Sequence, residues 1–120
     1  MTIASQNMSL WLETLLSKNP QKMADLYSKN ATFLPTLSAD FKIGHDGAKA
    51  YFTHFLAKNP VGKIIKEEVQ EINENNYIHS GFYDFEINKQ ILNARFTFIW
   101  QKIDGVWKII HHHSSLRPKE

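Results

Sequence analysis

A chain of 120 residues with 42% hydrophobic and 22% charged side chains has the composition of one folded domain, long enough to bury a core. Its net charge of +2, with lysines scattered among acids and two arginines (Arg95 and Arg117), lacks the clustered cationic stripe of a nucleic-acid-binding protein. Cysteine is absent, which removes disulfides, thiolate nucleophiles and cysteine-bound zinc. No apolar run approaches the roughly 20 residues of a membrane span, and MTIASQNMS is not a cationic segment followed by an apolar block. The expectation is a single cytoplasmic domain over 1–120 with no membrane contact.

Met8, Trp11, Leu12, Leu15 and Leu16 recur at the spacing of one helix face and predict a helix from about Ser5 to Lys18. Asn19-Pro20 supplies a cap and a proline for the first helical position. A second short helix is therefore predicted to about Lys29, burying Met23, Leu26 and Tyr27. Ala31–Ser38, ATFLPTLS, is apolar but broken by Pro35, the mark of an edge or irregular strand, and Phe41 to Ile43 is another brief one. Asp46 then stands as an N-cap to a third helix whose stripe is Ala48, Tyr51, Phe52, Phe55 and Leu56, stopped by Asn59-Pro60.

Everything beyond reads as strand, in runs near 61–72, 77–87, 91–102 and 106–115. The breaks at Asn73–Asn76, Asn88–Gln90 and Asp104-Gly105 are short enough to favour an antiparallel meander. Alternation within 77–87 puts Tyr77, His79, Gly81, Tyr83 and Phe85 on one face. In the last hairpin, pairing Ile103 with Val106 sets Trp100 opposite Ile109, Phe98 opposite His111 and Phe96 opposite His113. One face is then aromatic and ends in two histidines. The other carries Arg95, Thr97, Ile99, Ile110 and His112. Helices first and a long sheet after predict an α+β fold.

Four strings resemble the association (hub) domain of calcium/calmodulin-dependent protein kinase II and its small bacterial relatives, within the nuclear transport factor 2-like superfamily. They are ATFLPTLS from Ala31; Gly44-x-Asp46 leading into Tyr51-Phe52 and Leu56-x-Lys58-Asn59; ARFTFIW over Ala94–Trp100; and Gly105-x-Trp107-x-x-x-His111-x-His113-Ser114-Ser115. The resemblance implies a cone-shaped half-barrel, three N-terminal helices packed on a strongly curved antiparallel sheet. It also implies a pocket between helices and sheet, and self-association through the outer sheet surface, as a dimer or a larger ring. Kinase glycine-rich and catalytic loops are missing, so a stand-alone hub-type domain is expected. Arginines that hub domains carry on their central strands align with Tyr83 and Phe98.

The expected pocket wall is Tyr83, Phe96, Phe98, Trp100, His111 and His113, closed by Trp11 and Tyr51 from the helices. Aromatic walls with a few orienting polar groups suit a small organic ligand. Arg95 is expected at an interface, or in the pocket if a bulge exchanges the faces. A metal at His111 and His113 would need further donors, from Tyr83 and Asp25 or Glu13, and no spaced cluster provides them, so no metal or cofactor is expected. The competing reading is an isomerase- or cyclase-type enzyme with His111 or His113 as general base and Tyr83 orienting substrate.

Overall fold

The computed structural model describes residues 2–119. Its elements are α1 (Ile3–Leu16), α2 (Pro20–Ala24), β1 (Tyr27–Leu34), β2 (Lys42–Ile43) and α3 (Gly44–Phe55), followed by a 3₁₀ turn (Leu56–Lys58). Four strands complete it: β3 (Val61–Asn73), β4 (Asn76–Ile87), β5 (Gln90–Ile103) and β6 (Val106–Leu116). One six-stranded sheet has the order β2-β1-β6-β5-β4-β3. Its neighbours are antiparallel except β1 and β6, which run parallel. The fold is α+β as expected, but the sheet is mixed, because β1 is delivered by the helical segment onto the outer edge of the last strand.

Local signals explain the helices. Thr2 caps α1 by accepting the Ser5 amide at 3.0 Å, and Met8, Trp11 and Leu15 are buried on the predicted stripe. Leu16, at 57% exposed, falls off it. Asn19 caps α2 through the amides of Gln21 and Lys22, with Pro20 at the first position. Asn19→Ala is expected to cost about 1 kcal/mol in urea denaturation. That helix does not reach Lys29. It ends at Ala24, because the Ile109 amide of β6 donates to the Leu26 carbonyl at 2.8 Å and Tyr27 is drawn into the sheet. In α3 the N-cap position belongs to Ile43, and Asp46 lies inside the first turn, where its charge suits the helix dipole.

The three helices cover one face of the sheet, and the alternation of β4 buries Tyr77, His79, Tyr83 and Phe85 beneath them. The last hairpin turns at Asp104 and Gly105, both with positive φ (50° and 79°), the conformation that matches strand twist. Its register begins as expected, Ile103 with Val106 and Trp100 with Ile109. Then it slips by one: Ile99 faces His111, Phe98 faces His112 and Phe96 faces Ser114. Ile110 is thus the extra residue of a bulge, and past it every side chain of β6 changes face.

Candidate functional site

The bulge decides the site. His112, 1% exposed, points into the cone, while His111 and His113 stand on the outer side. The expectation that those two line the pocket is therefore corrected. They share no face with Tyr83, so one substrate cannot touch a His111 or His113 base and the Tyr83 hydroxyl together. Strict alternation misassigned them; the only sequence trace of the right answer is the unbroken run His111-His112-His113, in which any phase still presents a histidine.

Inside the cone, His112 lies flat between Phe98 and Phe33, with ring centroids 4.0 and 4.6 Å away. Its two nitrogens join a chain of buried polar groups whose direction follows from donor counting. Trp11 Nε1–H can only donate, and it donates to the Tyr27 hydroxyl at 3.2 Å. Tyr27 then gives its own proton to His112 Nδ1 at 2.8 Å, so the imidazole carries hydrogen on Nε2 and donates it to the Tyr83 hydroxyl at 3.2 Å. Tyr83 donates to Ser114, whose hydroxyl in turn shares a hydrogen bond with the Thr36 hydroxyl. Above this relay, Tyr51 donates its hydroxyl to the Thr36 carbonyl at 2.9 Å.

The relay is uncharged. Burial, and then the positive charge that His111 and His113 would carry, hold the His112 imidazole well below the usual histidine value. Burial likewise raises the Tyr27, Tyr51 and Tyr83 phenols above their ordinary range. With both nitrogens engaged, His112 has no lone pair left to take a substrate proton. The space beside it is also small: a cavity of about 10 Å³ bounded by Trp11, Thr36, Tyr51, Tyr83, His112, Ser114 and four phenylalanines. That is room for about one water molecule.

Of the expected wall, Trp11 stacks on Tyr83 at 5.9 Å and Tyr51 is half-buried at the rim. Phe96 and Phe98 are fully packed below, and Trp100 stacks on Tyr77 further down the cone. Near that narrow end His79 Nε2 contacts Glu67 at 2.9 Å, while His79 Nδ1 and Trp100 Nε1 are buried without partners. Tyr27, Thr36 and Ser114 were not legible as site residues, Tyr27 because its stretch reads as helix. On the outer face His111 Nδ1 meets the Thr32 hydroxyl at 2.7 Å, and Arg95 donates from Nε to Ser115 at 3.2 Å. Burial, with a smaller contribution from His113, lowers His111. Among the described residues, no three histidine, aspartate or glutamate side chains converge on one point, and no helix is long and apolar enough to cross a membrane.

The family model of the calcium/calmodulin-dependent protein kinase II association domain matches residues 5–118. The chain belongs to that family. A solved structure described as such an association domain, from Xanthomonas campestris, is 34% identical with a TM-score of 0.94, covering 98% of this chain and 87% of its own. An NTF2-like protein of unknown function from Pseudomonas putida has a TM-score of 0.82 at 15% identity, covering 98% and 85%. A Caulobacter vibrioides protein with a cystatin-like fold has 0.81 at 14%, covering 96% and 87%. Those two likenesses speak for the fold alone. No curated protein matches. This association domain thus has the expected cone, with an interior closed by its own side chains.

Proposed function

We propose that this association domain works by self-association, with a second copy packed on the outer face of β4, β5 and β6. The observation that carries the reading is an uncovered sheet face with apolar residues at its centre. All three helices lie on the other side, and Ile78 and Ile99 sit directly opposite one another, half-buried, flanked by Ser80, Thr97 and His111. At the hairpin tip the paired Ile103 and Val106 are 36% and 53% exposed. Apolar side chains grouped on one open face are more stable covered than wet. The family match adds that this is a domain named for association.

Self-association is preferred to the catalytic alternative because His111 and His113 lie on the outer face of the sheet and Tyr83 on the inner one. Light scattering on the purified protein at tens of micromolar is expected to return a multimer. Ile99→Lys, which places a charge at the centre of the proposed contact, should shift it to monomer while leaving the circular dichroism spectrum unchanged. A wild-type monomer, or a variant that assembles equally well, would overturn the proposal.

A further inference from the structure

The chain has two arginines, and both stand against one phenylalanine on the outer face of the sheet. Phe82 of β4 pairs directly with Arg95 of β5. From just beyond β6, Arg117 lays its guanidinium over the Phe82 ring, 4.7 Å from the centroid. Neither has a counter-ion: among the described residues no carboxylate lies within ion-pair distance of either. Arg95 uses Nε on the Ser115 hydroxyl at 3.2 Å, which leaves both of its Nη groups without a partner. Arg117 is half-buried, and its guanidinium meets the ring and makes no hydrogen bond among the described residues.

Beside them lies a hollow of about 350 Å³ bordered by Ser80, Phe82, Arg95, Thr97, His113 and Ser115. It is on the side of the sheet opposite the helices and shares no lining residue with the small cavity inside the cone. The register accounts for it. Phe82, Arg95 and Ser115 form one row across β4, β5 and β6, and Ser80, Thr97 and His113 form the next. Short hydroxyl side chains next to a ring and a guanidinium leave the surface dipped. Every polar side chain in the two rows can donate: a guanidinium, three hydroxyls and an imidazole N–H. No carboxylate borders the hollow. Asp84, one row beyond, accepts from Asn93 at 2.9 Å. Glu68 of β3 pairs with Ser80, and Lys66 beside it pairs with Phe82.

We propose that this hollow is an oxyanion site for a small soluble phosphate monoester. The phosphate takes paired bonds from the two Arg95 Nη groups and further ones from the Ser80 and Thr97 hydroxyls and His113. Arg117 adds a second positive charge from across Phe82. A carboxylate has two oxygens and a single charge, so it satisfies fewer of these donors than a phosphate does. The Phe82 ring already holds the Arg117 guanidinium, so ordering that long side chain costs less on binding. The site lies beside the contact centred on Ile78 and Ile99, and one chain supplies every group. It goes beyond self-association and does not require it.

Inorganic phosphate and phenyl phosphate are the probes, with acetate as the carboxylate control, all at constant ionic strength and near-neutral pH. Titration of the wild-type protein, followed by amide shifts in the nuclear magnetic resonance spectrum, is expected to move Ser80, Arg95, Thr97 and Ser115 with both phosphates. Acetate should move them far less. Arg95→Gln should weaken phosphate binding by about 10-fold. Arg95→Lys keeps the charge but loses the fork and should still weaken it by about 3-fold. Lys49→Gln, which removes one positive charge on α3 far from the hollow, should leave it unchanged. No shifts in the two rows, acetate bound as tightly, phenyl phosphate left unbound, or equal losses in Arg95→Gln and Lys49→Gln would each overturn the proposal. Should an Arg95 variant fail to fold, the wild-type comparison of the phosphates with acetate decides alone. Light scattering on the same samples reports assembly separately, so the failure of one reading is distinguishable from failure of the other.

Discussion

Gly81→Ala is expected to lower the thermal midpoint by about 10 °C or more, through a loss of about 3 kcal/mol. Gly81 sits in β4 opposite Glu67 of β3 and Phe96 of β5. A Cβ there would lie 1.9 Å from the Lys66 carbonyl oxygen and 2.8 Å from Glu67 Cα. Both are backbone atoms, so no rotamer change can relieve the clash. The approach is this close because the pairing of β3 slips between Ile64 and Lys66, which folds β3 over β4 at that point. An alanine must either part the two strands or undo the bulge, and each costs ladder bonds and the packing of Tyr83 and Phe85 next to it. Ser80→Ala, one residue away on the outer face, is the control and should change stability by less than about 0.5 kcal/mol. Differential scanning calorimetry reads both. A Gly81→Ala midpoint within about 2 °C of wild type would show that the strands separate freely.

The second large effect is acid sensitivity. In the unfolded chain His112 titrates near the ordinary value of about 6.5. In the folded protein burial holds it well below that, so the native state refuses a proton that the unfolded state accepts. The unfolded state then binds more protons, and stability rises with pH. The contribution is complete above about pH 6.5 and is lost as pH falls towards the folded value. The slope is about 1.4 kcal/mol per pH unit for one proton. Between pH 7.5 and pH 4.5 the folded protein is therefore expected to lose stability through His112, because burial keeps its imidazole neutral where the unfolded chain takes up a proton. His111, lowered by burial and by His113 but only half-buried, acts in the same direction and adds less. Urea denaturation at the two pH values measures the sum, and the His112 ring signal in nuclear magnetic resonance isolates its share. An imidazole that titrates normally near pH 6.5 in the folded protein would refute the buried neutral relay.

These expectations rest on features that differ in how far they can be read from the chain. The face of β4 is legible because strict alternation from Tyr77 to Phe85 persists through the strand, and the Asp104-Gly105 turn is legible because two adjacent residues must take positive φ. The stripe Met8, Trp11, Leu15 is equally local, since a helix repeats on its own geometry. Tyr27 is not legible. Its flanks favour a helix, and it becomes strand only because β6, about eighty residues later, offers a parallel edge.

The amino-acid sequence by itself determined the order of helices and strands, the turn positions, the aromatic inner face and the family likeness, because short-range periodicity and turn chemistry carry all four. Tertiary structure alone decided which histidine is inside. The pairing of β1 with β6 slips between Tyr27 and Thr32, and that of β5 with β6 slips beside it, between Ile99 and Trp100. A β6 strand paired on both sides accommodates these shifts with one bulge at Ile110. That single extra residue turns His112 towards Tyr27 and Tyr83 and sends His111 and His113 to the outer face. No pattern within one strand contains that information, because the bulge is set by two partners at once.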